Sequence, residues 1–246
     1  MMVTVRRYTV EEFGDMLEGY REAADIRATV LHHTYSPCAR DYKGLETIEA
    51  IRRYHLQRGW TDIGCHAYVA PDGCVYNGRP PTARNAACHY GERPPEEWPE
   101  ELRRLAGEDR GWANRHGFGI EVIGNFDDED PVASRAMQTA LDLLAVVHTM
   151  WRIPVSHCFM HRDLARKSCP GRRVRKEWVH RELERRLAMQ QDVAEWAREA
   201  VAWVRKEGLM SGYPDGSFRG GEPVSRQELA VILFRLARWL QKSTAK

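Results

Sequence analysis

No stretch of this chain is apolar over membrane-spanning length, and the N-terminal run MMVTVRRYTVEEFG lacks the apolar core of a secretory signal. The chain therefore reads as cytoplasmic when synthesised, with no membrane partner. Net charge is equally scarce: Lys and Arg nearly balance Asp and Glu and leave +2 over 246 residues. That is too little to argue for nucleic acid as a partner, although arginine is locally clustered. A search for a glycine-rich nucleotide loop finds none. The six cysteines have no even framework of close spacings, so a disulfide scaffold is not indicated and most read as small buried side chains. A Cys65–Cys74 pairing has no support beyond closeness in sequence. What is present is an ordinary soluble composition, 43% hydrophobic and 29% charged, long enough for a full core and a small second domain.

The most informative stretch is Ser156 to Gly171, SHCFMHRDLARKSCPG. It places His161 and Cys169 on one loop, eight positions apart, with Pro170-Gly171 setting a turn directly behind the cysteine. A third donor, His32, closes the extended apolar run Ala28 to Leu31 and so sits at a strand mouth. Two imidazoles and a thiolate suit Zn2+, and three protein ligands leave a fourth position for water. A histidine and a cysteine at this spacing also arise by composition alone in a chain with ten histidines and six cysteines. His157 is a rival to His161, with support of a ligand its expected role. His33 competes with His32.

Around that stretch the pattern alternates helix and strand. Thr9 and Glu12 form a capping box for a short helix through Phe13, Leu17 and Tyr20. Leu45 to Gln57 repeats apolar residues on one helical face. Cys65 to Ala70 and Cys74 to Tyr76 pair around the turn Pro71-Asp72-Gly73. His66 in the first of these strands reads equally as a core or a cleft histidine. Pro94-Pro95 opens a helix with Trp98, Leu102 and Leu105 on one face, either a groove wall or a rim element. Val132 to Trp151 is the longest helix of the first domain, and His148 near its end is a packing or capping residue. Phe118 to Gly124 reads as a central strand buried on both faces. Glu121 in its middle is an anomaly, since a carboxylate there costs several kcal/mol unless it is paired, protonated or facing a polar cleft. Arg172 to Arg175 is a basic patch that reads first as solvated surface and second as a contact for anionic polymer.

Four segments, VLHHT at 30–34, RGWTDIGCHAYVAPDGCVYNGRP at 58–80, FGIEVIGNF at 118–126 and HRDLARKSCPG at 161–171, occur in the order found in the zinc-dependent N-acetylmuramoyl-L-alanine amidases. The chain resembles that family, the fold shared by phage amidase lysins and peptidoglycan recognition proteins. The resemblance implies an α/β domain with a central, mostly mixed sheet flanked by helices. It also implies one zinc ion on His32, His161 and Cys169, with His32 taken over His33, and hydrolysis of the bond between N-acetylmuramic acid and L-alanine in peptidoglycan. Phage-side members often carry a tyrosine where this chain has Cys65. The cytosolic anhydromuropeptide branch instead combines a small residue there with a glutamate on the central strand. This chain has the second combination, which makes Glu121 the general base, and Lys167 matches the position whose cation faces the oxyanion. The AACHYG loop resembles the family's groove-framing loop, which assigns His89 to substrate contact, and His66 and Asn114 are further expected contacts.

From Asp192 the helical pattern restarts. Trp196, Ala200, Trp203 and Val204 mark one helix, GYPDGSFRGGEPVS at 212–225 is a turn-rich loop, and Ser225 with Glu228 caps a second amphipathic helix. The segment EWAREAVAWVRKEGLMSGYPDGSFR and SRQE at 225–228 resemble a single S-layer homology repeat, a module that anchors proteins to secondary cell-wall polysaccharide. The implied organisation is an N-terminal helical extension at 1–25, the zinc amidase domain at 26–180, a helical connector at 181–191 and a small α-helical wall-binding module at 192–246. Wall contacts are placed on Tyr213, Asp215 and Arg226. Because such repeats commonly come in threes, self-association through the module is a further expectation. Expected partners are peptidoglycan and secondary cell-wall polysaccharide, reached after release without a signal peptide, as a phage or prophage endolysin would. A host autolysin, a muropeptide-recycling amidase and a non-catalytic peptidoglycan-binding protein are the alternatives.

Overall fold

The computed structural model describes residues 4–86, 93–213 and 216–243. Of the residues singled out above, His89 and Asp215 lie outside the described residues. The chain divides into two compact units, Met1–Glu184 and Arg185–Lys246, a boundary inside the segment read as a connector. The first unit is a mixed α/β structure, and the second is helical among the described residues. No helix of the described residues is long and apolar enough to cross a membrane.

The first unit begins with strand β1 (Arg7–Tyr8) and helix α1 (Val10–Glu18). The capping box forms in full: Thr9 Oγ1 accepts from the Glu12 N–H at 3.2 Å, and Glu12 Oε2 accepts from the Thr9 N–H at 2.7 Å. Strand β2 (Ala28–His33) is buried along its whole length. Helix α2 (Leu45–Gln57) turns Ile48 and Ile51 inward. Strands β3 (Ala67–Val69) and β4 (Val75–Asn77) form the hairpin read from sequence. Gly73 takes a φ of +80° at its turn, a left-handed conformation that favours glycine. Helices α3 (Glu100–Ala106) and α4 (Trp112–His116) precede strand β5 (Gly117–Val122). Helix α5 (Arg135–Met150) starts later than read because Ser134 supplies the cap, its Oγ accepting from the Met137 N–H at 3.3 Å. Strand β6 (Cys158–Met160), helix α6 (His161–Leu164) and helix α7 (Lys176–Gln191) follow.

The sheet order is β1-β4-β3-β5-β2-β6. The β1–β4 and β4–β3 pairs are antiparallel, whereas β3–β5, β5–β2 and β2–β6 are parallel. Side chains alternate faces along β2. Ala28 and Val30 pack with Trp98, Leu102, Trp112, Ala113 and Phe159, while the Thr29 hydroxyl meets His148 of α5 at 2.9 Å. The helical insertion after Pro94 therefore covers this sheet face. His148 is the packing residue expected, its Nδ1 lying 3.0 Å from the Ile153 carbonyl oxygen.

This topology places the chemistry. Parallel strands β2, β5 and β6 end at one edge of the sheet, the edge where open α/β sheets bind ligands. The register sets His32 beside Glu121 and Leu31 beside Met160. The residue after β6, His161, thus emerges level with His32.

The second unit contains α8 (Arg198–Lys206) and α9 (Arg226–Ser243). Its loop is held by Asp192, whose carboxylate accepts the N–H groups of Phe218 and Arg219 and whose carbonyl accepts the Gly220 N–H at 3.2 Å. The second capping box also forms, with Glu228 N–H donating to Ser225 Oγ at 3.2 Å and Ser225 N–H donating to Glu228 Oε2 at 2.8 Å.

Candidate metal centre and cleft

His32, His161 and Cys169 are all buried, and one donor atom from each lies within 4.8 Å of the others. His32 Nδ1 is 3.9 Å from Cys169 Sγ, and the two imidazole centroids are 4.5 Å apart. A tilted pair of imidazoles facing one sulfur is a donor set that suits Zn2+. The loop carrying Cys169 is held by Arg162. Its backbone N–H donates to the Cys169 carbonyl at 2.8 Å, and its guanidinium donates to the carbonyls of Gly171 and Val174. Gly171 is required here: it has a φ of +119°, and a Cβ would lie 2.5 Å from the Phe126 backbone. The His33 N–H donates to Cys169 Sγ at 3.4 Å.

His33 itself is not part of the converging set. Its Nδ1 accepts from the Phe126 N–H at 3.1 Å, and burial pushes its pKa down to about 4. His157 is not a supporting residue either. It ends the turn Val155–His157 just before β6, outside the converging set, with Nδ1 3.2 Å from the Arg27 carbonyl oxygen.

The cluster opens into a cleft of about 450 Å³, lined also by His33, Thr34, Tyr35, His55, Trp60, Glu121, Lys167 and Ser168. Glu121 reaches this cleft from β5. Burial raises its pKa to about 7, against the opposing pull of a hydrogen bond from Cys65 and the charge of Lys167. The Cys65 thiol donates to Glu121 Oε2 at 3.3 Å, so Cys65 is a free cysteine engaged by a carboxylate and not a partner of Cys74. A second arm of about 730 Å³ shares Thr34, His55 and Glu121 with the first and adds Asp41, Lys43, Glu46 and Tyr54.

Two of the assigned substrate contacts are not matched by their positions. His66 is 2% exposed and does not line the cleft. Its Nδ1 accepts from the Gly119 N–H at 3.0 Å, its Nε2 faces the Ala83 carbonyl at 3.0 Å, and its ring stacks on Phe118. It is the satisfied core histidine. Asn114 is likewise 2% exposed, within α4, where its carbonyl accepts from the Asn85 N–H at 2.7 Å.

In the second unit Tyr213 lines a pocket of about 440 Å³. Its hydroxyl donates to Glu228 Oε1 at 3.3 Å, and the Arg219 guanidinium stands 4.2 Å over its ring. Arg226 opens α9 as an exposed residue and does not line that pocket. Arg219 and Arg235 are the arginines that do.

A sequence profile of the N-acetylmuramoyl-L-alanine amidase family matches residues 22–172, more than half of the chain. The chain belongs to the N-acetylmuramoyl-L-alanine amidase family. It is 31% identical over 147 residues to the pig (Sus scrofa) N-acetylmuramoyl-L-alanine amidase, covering 57% of this chain and 21% of that protein. It is 25% identical over 140 residues to the endolysin of Enterobacteria phage T3, covering 55% of this chain and 77% of that one. Among solved structures, the amidase LysC from Clostridium intestinale URNW aligns with a TM-score of 0.47 and 26% identity, covering 67% of this chain and 88% of that chain. The chain thus spans about a fifth of its mammalian relative. A profile of the S-layer homology domain matches residues 190–230.

Two cleft residues of this amidase-family unit escaped the sequence reading. His55 stacks on Trp60 with centroids 4.3 Å apart and an interplanar angle of 18°, and its Nδ1 accepts from the Gly64 N–H at 3.2 Å. The available signal was an aromatic and a histidine at the last turn of α2, followed at once by Gly59-Trp60.

Proposed function

We propose that this chain hydrolyses the amide between the lactyl group of N-acetylmuramic acid and L-alanine of the peptidoglycan stem peptide, with one zinc ion held by His32, His161 and Cys169. The observation that carries the proposal is the convergence of those three donors on a cleft that also contains Glu121 and Lys167. When bound there, zinc supplies Lewis acidity toward water and the scissile carbonyl. Glu121 accepts the proton of the attacking water and returns it to the nitrogen as the C–N bond breaks, leaving a new L-alanine amino terminus. Burial raises the Glu121 pKa, which favours return of the proton to the nitrogen, while a zinc ion bound beside it would oppose that shift. Lys167 faces the negative charge that develops on the carbonyl oxygen. The charged second arm, with Asp41, Lys43 and Glu46, suits the stem peptide, because the glycan strand is uncharged once its lactyl group is amidated.

The reading extends to a phage or prophage endolysin, supported by the likeness to the T3 endolysin, with the second unit holding the chain on secondary cell-wall polysaccharide, supported by the S-layer homology match. Self-association of that unit is part of the same reading. Among its described residues only Val193 and Leu209 are buried apolar side chains, whereas Leu229, Leu233 and Phe234 are exposed.

The test is incubation of purified walls with the chain. New L-alanine amino termini without new reducing sugars are expected, with activity lost on chelation and both zinc and activity lost in Cys169→Ala. A Cys169→Ala variant with full metal content and full activity would overturn the ligand assignment. Deleting residues 192–246 is expected to preserve cleavage of soluble muropeptides and to weaken binding to intact walls. Equal binding of the full chain to walls stripped of secondary polysaccharide would remove the anchoring role.

A further inference from the structure

We infer that Cys65 is a positioning residue for Glu121, its thiol fixing the direction of the carboxylate that carries the proton. The inference rests on the amidase reading of Glu121. Among the described residues, the Cys65 thiol is the one hydrogen-bond donor to that carboxylate, with Sγ to Oε2 at 3.3 Å. The Glu121 backbone is locked in β5 between β2 and β3. Its side chain has three further torsions, which backbone pairing alone does not fix. A donor to one carboxylate oxygen supplies that restriction and leaves the other oxygen for the cleft, which Glu121 lines.

The donor is itself immobile. The Cys65 N–H donates to Tyr68 Oη at 2.9 Å, and the Cys65 carbonyl accepts from the Arg79 N–H at 3.0 Å. A Cβ on Gly78 would lie 2.0 Å from that carbonyl oxygen, so only glycine lets the next turn close over Cys65. The side chain is fully buried against Ile63, Tyr68 and Ile123. A thiol is a weak donor, and a carboxylate acceptor strengthens the bond. The pair is thus a small, rigid donor set behind the reacting carboxylate, on a strand-end segment distinct from the one carrying Glu121.

The experiment is a double-mutant cycle on the full chain with a soluble muramoyl-L-alanyl peptide, reading kcat, KM, bound zinc and thermal midpoint. Cys65→Ala is expected to lower kcat by about 3- to 10-fold, the scale of one ordinary hydrogen bond, as befits a weak thiol donor, with KM and zinc content unchanged. Cys65→Ser, which keeps a donor at the same place, is expected to recover most of the loss. In a Glu121→Gln background the Cys65→Ala change is expected to have no further effect on kcat. An equal loss in both backgrounds, or no loss in either, would show that Cys65 only fills space and would overturn the inference while leaving the amidase reading intact. A wild-type chain that cleaves no muramoyl peptide would overturn the amidase reading, and the inference with it.

Discussion

All ten histidines and all six cysteines fall in the first unit, and the second, from Arg185 onward, has none. The contrast extends to packing. The first unit buries a continuous set of apolar side chains on both faces of its sheet, among them Leu31, Phe118, Ile120 and Phe159 at 0% exposure. The second leaves Trp196 at 90%, Phe234 at 62% and Leu233 at 55% exposed. The difference separates two uses of apolar surface. In the first unit it holds a sheet rigid, so that three strand ends can aim polar groups at one point, and the low dielectric it creates shifts the pKa values of Glu121 and His33. In the second it stays available for contact, the condition of a module too small to bury a strong core alone.

The largest expected effect lies in the first unit. On the proposed mechanism Glu121→Gln removes the general base and is expected to lower kcat by about 10²- to 10⁴-fold, with metal content and folding unchanged. Turnover, metal analysis and melting on one preparation decide it, since a poorly folded but active variant would make Glu121 a structural residue. Next, truncating one apolar side chain in each unit measures the packing contrast directly. Leu102→Ala empties a fully buried site between α3 and the sheet and is expected to cost about 2–5 kcal/mol in denaturant unfolding. Leu233→Ala in α9 is expected to stay within about 0.5 kcal/mol at low protein concentration. A comparable loss at Leu233 would mean that the second unit has a core of its own.

The smallest effect is in pH. Burial pushes His66 and His148 down to about 4 from an ordinary value of 6.5. The folded pKa lies below the unfolded one, so the unfolded chain binds more protons between those values. The stability of the first unit is therefore expected to be full above pH 6.5 and to fall as pH drops toward about 4. Glu121, raised to about 7, acts in the opposite sense over part of this window. The slope is thus read as the difference between wild type and His148→Gln, in which it should shrink. The second unit, without histidine, should not share this slope, and an equal slope there would break the comparison.

What could be read from sequence was what local chemistry decides. The Thr9–Glu12 and Ser225–Glu228 boxes, the bounds of α2, the hairpin turn at Gly73 and the extended run into His32 each follow from a few adjacent residues. The half-buried glutamate was legible as an anomaly because its neighbours Ile120 and Val122 are apolar. The faces of the other polar residues were not legible, since they depend on register and on distant chain. His66 faces inward because the Gly119 N–H is there to meet it. Trp60 reaches the cleft because the loop after α2 is clamped by the buried Arg52–Asp62 pair at 2.8 Å and by Arg79 bonding to the Ile63 carbonyl at 2.6 Å. Arg226 was favoured over Arg219 by its place in the SRQE motif, while the pocket is lined by the arginine that stacks on Tyr213.

The register that sets His32 level with His161 also fixes when the cluster can exist. Cys169 stands 137 residues beyond His32, and β5, which lies between β3 and β2, must be in place for the strand ends to align. A chain still emerging from the ribosome holds His32 for most of the synthesis of the first unit without its two companions. A fragment that stops short of Cys169 never assembles the set. The assembled cluster is consequently a report on the completed fold of the whole unit, absent from nascent and truncated chains.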